Sequence, residues 1–156
     1  MSHPHLLIAD VTPVLLRASG AGLCVRRKPG VALAPGQLTF VGGHLEAGEP
    51  LDHAARHEAE EETGVCLSAE QQEFCGHIHH HESADCPDRI TAVLVARSWT
   101  GEPHNAGPDK HEGLSGVSME KPSPGRHPHT TAIFHMITHG PPSYRALNRP
   151  TQRGSE

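Results

Sequence analysis

The distribution of apolar positions predicts strands in the first quarter of the chain. Residues 6–17 are largely apolar, which favours a strand, and Pro13 within that run indicates a sheet edge or a bulge. A Ser-Gly turn follows, so residues 22–28 are predicted to form the returning strand. Residues 29–36 then predict a loop, and residues 37–41 a short strand.

The clearest helix is predicted over residues 50–63. It has proline at its first turn, three alanines inside it and Gly64 as its stop signal. The later elements are predicted to be a strand pair over 73–81 and 89–98, a polar loop over 100–113, a strand over 114–119 and a second helix over 130–138. This order predicts an α/β (α+β) fold in which a mixed sheet has helices packed against it.

Length and composition set the expected domain organisation. The chain has 156 residues, enough for one domain. We place that domain over residues 1–148 and expect residues 149–156 to be a flexible tail. Aromatic residues make up only 3% of the chain, which also holds 16 glycines and 14 prolines. This composition predicts a modest core with loop-rich connections.

Charge and hydropathy argue against several functional classes. The formal net charge of −5 disfavours a protein that grips a nucleic-acid polymer. No apolar run approaches the ~20 residues of a membrane helix, so no membrane partner is expected. The N-terminus lacks a basic segment followed by an apolar one, which predicts a cytoplasmic protein. The four cysteines contain no CxxC pair, and a disulfide framework is not expected.

An acidic helix follows a pair of glycines, Gly42 and Gly43. At ~100° per residue, Glu58, Glu61 and Glu62 fall within an arc of roughly 100° on the predicted helix. Like charges on one stripe destabilise a helix, so a compensating cation is favoured, and Mg²⁺ prefers carboxylate oxygens. An isolated stripe of this kind is more often a solvated face. The glycine pair, which lets backbone approach a ligand, favours the cation site.

Glycines and glutamates recur with a defined spacing over residues 43–65. In order, the fixed positions are Gly43, Glu49, His57-Glu58-Ala59, Glu61-Glu62 and Gly64-Val65. This spacing resembles the Nudix box of the MutT-like pyrophosphohydrolases, with His57 where the family has arginine. The strands before the box and residues 99–103 after it also fall where MutT-like chains have comparable segments.

The resemblance implies the Nudix fold, a mixed β-sheet sandwiched between α-helices, with the box forming a loop-helix-loop. It implies Mg²⁺ (or Mn²⁺) as the cofactor. The implied metal ligands are Glu58, Glu61, Glu62 and the backbone carbonyl of Gly42 or Gly43. The box carboxylate Glu49 is implied to brace the loop or to reach the metal through water.

The resemblance also implies the reaction. A metal-activated water attacks one phosphorus of a diphosphate, with Glu58 or a carboxylate on a distant loop as the general base. The predicted function is hydrolysis of a nucleoside or deoxynucleoside triphosphate to a monophosphate and pyrophosphate. The alternatives are hydrolysis of ADP-ribose or a nucleotide sugar, and a degenerate module that binds nucleotide with weak or no hydrolysis. The base and the oligomeric state stay open; homodimers are common among relatives.

His57 is the one departure from the box. In the family, the arginine at this position holds a catalytic glutamate, and imidazole cannot make the same two fixed, charged hydrogen bonds. The helix geometry places His57 ~40° from Glu61, within reach at i+4, so a weak replacement of the arginine is predicted. Arg56 lies roughly 180° from the glutamate stripe and is predicted to pair with Glu60 instead. The alternative is that His57 is inert.

The loop after Trp99 offers further candidates. Relatives often have an acidic residue in this loop and an aromatic one in the next strand, where this chain has Gly107 and Gly116. Asp109 and Glu112 are therefore candidates for a distal base or metal ligand, and Lys110 for a contact to a substrate phosphate. Solvated loop charges are the alternative.

Histidines are concentrated after Cys75. On a strand, His77, His79 and His81 share one face and His80 the other. The Cys/His spacing follows none of the closed zinc patterns. A polar strand face beside the substrate cleft is favoured, with His79 or His81 contacting base or phosphate. The pairs 127/129 and 135/139 are predicted to be surface features.

Overall fold

The computed structural model describes residues 2–81, 83–118, 120, 125–140 and 143–147. The predicted tail, residues 149–156, lies outside them. In chain order the elements are β1 (Ile8–Leu15), β2 (Ala21–Arg27), β3 (Leu38–Thr39), β4 (Gly43–His44), α1 (Leu51–Thr63), a 3₁₀ turn (Ala69–Gln71), β5 (Gln72–His80), β6 (Arg89–Ala96), β7 (His111–Ser118), α2 (Pro128–His139) and β8 (Tyr144–Leu147).

The strands form two sheets. One has five strands in the order β4-β1-β6-β5-β8, and the other has three in the order β3-β2-β7. The larger sheet is mixed. The pairs β1–β6 and β5–β8 are parallel, whereas the pairs β1–β4 and β5–β6 are antiparallel. Pro13 lies beyond the short β4 ladder, which pairs with β1 only at Asp10 and Val11. A residue without an N–H is tolerated there, as expected for a sheet edge.

The larger sheet lies between the two helices. Along β6, Ala92 and Leu94 pack on the side of α1, whereas Val93 and Val95 pack on the side of α2 and the smaller sheet. This alternation is the period-two pattern of a strand that is buried on both faces. The helix α1 meets the sheet through Ala54, Ala55 and Ala59, small residues that allow a close approach. The predicted mixed sheet between helices is confirmed.

The element bounds differ from the predicted ones where pairing depends on distant residues. The strand predicted over 37–41 is reduced to Leu38–Thr39, and β7 begins at His111 rather than at 114. β4 and β8 are short strands that the sequence pattern did not indicate, since each is held by a neighbour far along the chain. Neither helix in the described part of the chain is long and apolar enough to span a membrane.

Candidate active site

A cavity of about 630 Å³ opens beside α1 and extends between the two sheets. Part of its lining is acidic and comes from Glu58, Glu61 and Glu62. Another part comes from imidazoles on β5 and at the start of α2. The acidic part lies beside α1 and β4, whereas His80 is on β5, with β1 and β6 between β4 and β5 in the larger sheet. The cavity therefore has two chemically distinct regions.

The three glutamates of the box lie on α1 with different exposure. The side chain of Glu61 is 60% exposed, whereas Glu62 is only 5% exposed. Burial raises the pKa of Glu58, and the neighbouring charges of Glu61 and Glu62 raise it further. Burial also raises the pKa of Glu62. The clustering of negative charge predicted from the helix geometry is present, and a divalent cation would relieve it further.

The glycine pair gives Glu58 its place against the backbone. Gly43 lies in β4 opposite Val11, and any Cβ at Gly43 would overlap the carboxylate of Glu58. A Cβ at Gly42 would press on the backbone oxygen of Val11 and on Thr12. The close approach between backbone and carboxylate thus requires glycine at position 43, and both glycines line the cavity.

His57 contacts two carboxylates of the box. Its Nδ1 lies 3.6 Å from Oε1 of Glu49, and its Nε2 lies 3.9 Å from Oε2 of Glu61. His53 also reaches Glu49, with 3.1 Å between Nδ1 and Oε1. The reach from His57 to Glu61 is as predicted, but both of its contacts are long for hydrogen bonds. Glu49 is enclosed by two imidazoles and does not line the cavity; it borders a neighbouring surface pocket.

Arg56 does not pair with Glu60. Its guanidinium donates to Oδ2 of Asp52 at 3.0 Å, one helical turn towards the N-terminus. Asp52 is in the first turn of α1, where a carboxylate also interacts favourably with the helix dipole. The predicted partner was wrong, but Arg56 remains separate from the glutamate stripe.

Replacement of His57 by arginine is expected to raise kcat. A guanidinium can contact Glu49 and Glu61 with charge-assisted hydrogen bonds, each worth ~1.5–3 kcal/mol, and hold both carboxylates more firmly than the imidazole does. We expect a gain of about 10-fold at saturating Mg²⁺, measured as initial rate of substrate hydrolysis. His53→Arg is the matched control, because His53 contacts Glu49 but not Glu61. No gain in the His57→Arg variant would show that His57 imposes no handicap.

The loop that precedes β7 brings a cation to the acidic region. Lys110 lines the cavity, and its Nζ lies 3.6 Å from Oε1 of Glu62. Asp109 and Glu112 are exposed and do not line the cavity, so the structure does not bring either carboxylate to the glutamates. At Gly107 a Cβ would lie 2.7 Å from Oε2 of Glu62, which means that a larger residue there would displace that carboxylate.

The face of β5 that meets the cavity is the opposite of the one predicted. His79 and His81 both bond to Asp88, at 2.9 and 2.7 Å, and neither lines the cavity. His80, on the other face of β5, does line it. The structure therefore does not place His79 or His81 at the cavity, and His80 is the histidine of β5 that faces it. The reason is that β5 turns its even-numbered face, including the buried Ile78, towards the second sheet.

Histidines at the start of α2 complete the second region. His127 and His129 line the cavity, so their prediction as surface features was wrong. The ring centroids of His80, His127 and His129 are each 6.3 Å apart, and His129 lies 3.2 Å from the hydroxyl of Thr91. The 135/139 pair is exposed on α2, as predicted.

Arg27 and His111 were missed by the sequence analysis, although both line the cavity. Arg27 ends β2 and His111 begins β7, and the two are paired across the smaller sheet. His111 is 2% exposed and lies 3.2 Å from Glu62. Burial lowers the pKa of His111 to about 4, helped by the charges of Arg27 and Lys110. The cross-strand register joins them, and the sequence gives no local signal for it.

Acidification is expected to destabilise the fold through His129. Burial lowers the pKa of His129 to about 4; His127, His80 and Arg89 lower it further, and Asp10 opposes them. Below the ordinary histidine pKa of ~6.5 the unfolded chain binds a proton that the folded chain does not. The free energy of unfolding should therefore fall as the pH drops from 7 to 5, by up to ~1.4 kcal/mol per pH unit for this group.

Urea unfolding at pH 7, 6 and 5 tests this contribution. The variant His129→Asn lacks the titrating group, so its free energy of unfolding should depend less steeply on pH. His5→Asn, at an exposed position near the N-terminus, should leave the slope unchanged. Equal slopes in the wild type and His129→Asn would contradict the assignment.

A divalent metal fits the donor set of the acidic region. Oε2 of Glu62 is buried without a well-aligned hydrogen-bond partner among the described residues, and burial raises the pKa of both Glu58 and Glu62. No three His, Cys, Asp or Glu side chains of the described residues converge as a closed metal cage. Mg²⁺ does not need one, because it takes one or two carboxylates together with waters and substrate phosphates.

Comparison with solved structures identifies the fold. A MutT NUDIX hydrolase from Burkholderia pseudomallei has a TM-score of 0.78 and 24% identity, covering 85% of this chain and 99% of that chain. A MutT protein from Methanosarcina mazei has a TM-score of 0.69 and 21% identity, covering 85% and 93%. A structure from a study of MutT from Aliivibrio salmonicida and Vibrio cholerae has a TM-score of 0.65 and 19% identity, covering 86% of this chain and 99% of that chain. Comparison with curated protein sequences gave no significant match.

The family follows from a sequence match over most of the chain. The model of the NUDIX domain matches residues 7–138. The chain therefore belongs to the Nudix family, and its fold is the one found in these MutT structures. It is a hydrolase of pyrophosphate-containing small molecules, in a family that generally uses a divalent metal.

Proposed function

We propose that the protein hydrolyses a nucleoside or deoxynucleoside triphosphate to the monophosphate and pyrophosphate, with Mg²⁺ or Mn²⁺ as cofactor. The observation that carries this proposal is the single cavity with two regions, in which three glutamates and two cations face one space with a group of imidazoles. A nucleotide has the matching division between an anionic phosphate chain and an aromatic base. The substrates would be nucleotides of the cytoplasm.

The acidic region is suited to the phosphates. Glu58 and Glu62 would hold the metal, with Glu61 and a backbone carbonyl of the glycine pair as further ligands. When bound, the cation neutralises phosphate oxygens and lowers the pKa of water. Arg27 and Lys110 supply positive charge at the same wall of the cavity, where it can offset charge on the phosphate chain.

Glu58 is the preferred general base among the described residues of the site. Its carboxylate lines the cavity and is held close to the backbone at Gly43, so it lies beside the space that a metal and its water would occupy. In the proposed step the carboxylate takes a proton from the attacking water, whose oxygen bonds to phosphorus. The bond from phosphorus to the bridging oxygen breaks, and pyrophosphate leaves with the electron pair.

The second region is suited to the base. His80, His127 and His129 line this region with aromatic rings, and Phe40 adds an apolar wall. Aromatic side chains, histidine included, stack on nucleobases. These residues do not discriminate between bases by themselves, so the proposal names the nucleotide class and not the base.

A nucleotide-binding module with little hydrolysis is the second candidate. The loose contacts of His57, at 3.6 and 3.9 Å, favour it, because they hold Glu49 and Glu61 less firmly than an arginine would. The intact glutamate trio favours the enzyme.

A substrate panel with Mg²⁺ separates these candidates. Nucleoside triphosphates are assayed with inorganic pyrophosphatase, and ADP-ribose and nucleotide sugars with alkaline phosphatase, each by phosphate release. We expect release from triphosphates by the wild type, and release that is slower by about 100-fold or more in a Glu58→Gln control. Faster phosphate release from ADP-ribose or a nucleotide sugar than from triphosphates would show that the substrate is a diphosphate compound of that kind and not a triphosphate. Release from no compound, together with measurable nucleotide binding, would establish the binding module.

A further inference from the structure

We infer that His111 is a positioning residue for Glu62: fixed by Arg27 in the tautomer that carries its proton on Nδ1, it donates to the buried carboxylate oxygen of Glu62 and leaves the other oxygen for the metal. This inference rests on the proposed function, since it assigns a role to a residue of the same site. His111 is not part of the Nudix box, and it lies 49 positions after Glu62 in the chain.

The contact with Arg27 sets the tautomer. Nη1 of Arg27 lies 3.3 Å from Nε2 of His111. A guanidinium has only donors, so Nε2 must be the acceptor in this pair. The proton of the ring is then on Nδ1, which lies 3.2 Å from Oε2 of Glu62. The arrangement runs from guanidinium to imidazole to carboxylate, with each donor facing an acceptor.

The two facing atoms depend on each other. Nδ1 of His111 and Oε2 of Glu62 are both buried and lie 3.2 Å apart, and neither makes a well-aligned hydrogen bond within the described residues. Leaving two buried polar atoms unpaired is costly, and each is the nearest complement of the other, so we expect them to pair. Oε1 of Glu62 lies 3.6 Å from Nζ of the exposed Lys110 and is the oxygen left for a metal.

An irregularity in the pairing of β2 with β7 directs the side chain of His111 towards Glu62. The pairing of β2 with β7 shifts after Arg26, so that Arg26 is opposite Gly113 but Arg27 is opposite His111. Glu112 is therefore the extra residue of a bulge. Bulges of this kind redirect a side chain and are frequent beside active sites.

The preceding loop is tied to both partners. The backbone N–H of His111 donates to the carbonyl of Gly107, and the backbone N–H of Ala106 donates to the carbonyl of Glu62. The amide of Asn105 donates to the carbonyl of His111 at 2.9 Å. Gly107 lies directly over the pair, since a Cβ there would be 2.7 Å from Oε2 of Glu62 and 3.4 Å from Nδ1 of His111. The loop thus encloses the contact and excludes a competing side chain.

Two substitutions separate hydrogen bonding from packing. His111→Asn retains an N–H donor near the place of Nδ1, whereas His111→Leu keeps apolar volume and loses the donor. The measurement is the dissociation constant of Mn²⁺ without nucleotide, from the electron paramagnetic resonance of free Mn²⁺, with thermal unfolding as a check on folding. Loss of a hydrogen bond to a metal ligand typically weakens metal binding 10- to 100-fold.

We expect His111→Leu to weaken Mn²⁺ binding about 10-fold or more, and His111→Asn to recover most of the wild-type affinity. If His111 only filled space, His111→Leu would instead bind Mn²⁺ more tightly than His111→Asn. In ¹⁵N spectra of the wild type, the imidazole resonances of His111 are identified as those that are missing from the spectrum of His111→Asn. Their chemical shifts should be those of a ring with a protonated Nδ1 and an unprotonated Nε2.

Three results would overturn the inference: wild-type affinity in His111→Leu, an Nε2-protonated ring, or no Mn²⁺ binding by the wild type. Failure of the substrate panel would be distinguishable. If the wild type binds Mn²⁺ and the two variants rank as expected, but no nucleotide is hydrolysed, the proposed function fails and the role of His111 stands.

Discussion

Glu58→Gln is expected to lower kcat by about 10²- to 10³-fold, equivalent to roughly 3–4 kcal/mol of transition-state stabilisation. Glutamine preserves the shape of the side chain beside Gly43 but removes the negative charge and the ability to take a proton. The substitution therefore removes a metal ligand and the preferred base together. Initial rates over a range of Mg²⁺ concentrations measure the effect, and added Mg²⁺ should not restore the wild-type kcat.

The matched control is Glu60→Gln on the same helix. Glu60 is exposed and does not line the cavity, so its substitution should leave kcat within about 2-fold. Equal rates for Glu58→Gln and the wild type would contradict the assignment of Glu58.

Gly43→Ala is expected to lower kcat by about 10²-fold or more while the protein stays folded. The new methyl group would overlap the Glu58 carboxylate, which must then leave its position. A displacement of ~1 Å at a catalytic group is enough for a loss of this size. Steady-state kinetics with a thermal unfolding curve separate the loss of activity from a loss of stability.

Gly30→Ala provides the control for a glycine substitution. No heavy atom lies within 4 Å of a Cβ at that position, and Gly30 lies outside the cavity lining. We expect unchanged kinetics there. Normal activity in Gly43→Ala would show that the backbone does not need to approach Glu58 closely.

The acidic part of the site could be predicted because its signal is local. Gly43, Glu58 and Glu62 lie within one loop and one helix, and the 3.6-residue period alone brings the carboxylates together. The helix itself ends where expected, with Gly64 in the left-handed conformation at its C-terminus. The mixed sheet between helices followed from the order of the elements and from the family resemblance.

The second region could not be predicted, because it depends on contacts between distant residues. Alternation along β5 separates His80 from His79, but only the packing of the sheet decides which face meets the cavity. In the same way, the pattern of the polar segment around His127 gives no sign that the start of α2 closes the cavity. Arg27 and His111 are joined across 84 positions by a shifted register, and a bulge of that kind leaves no trace in hydropathy.

The most direct measurement is a crystal structure with Mn²⁺, using anomalous scattering to locate the ion. We expect an anomalous peak within coordination distance of carboxylate oxygens from Glu58 and Glu62, on the side of α1 that faces Gly43. Crystals that contain no peak at these carboxylates, with both side chains turned to bulk solvent at saturating Mn²⁺, would contradict this expectation.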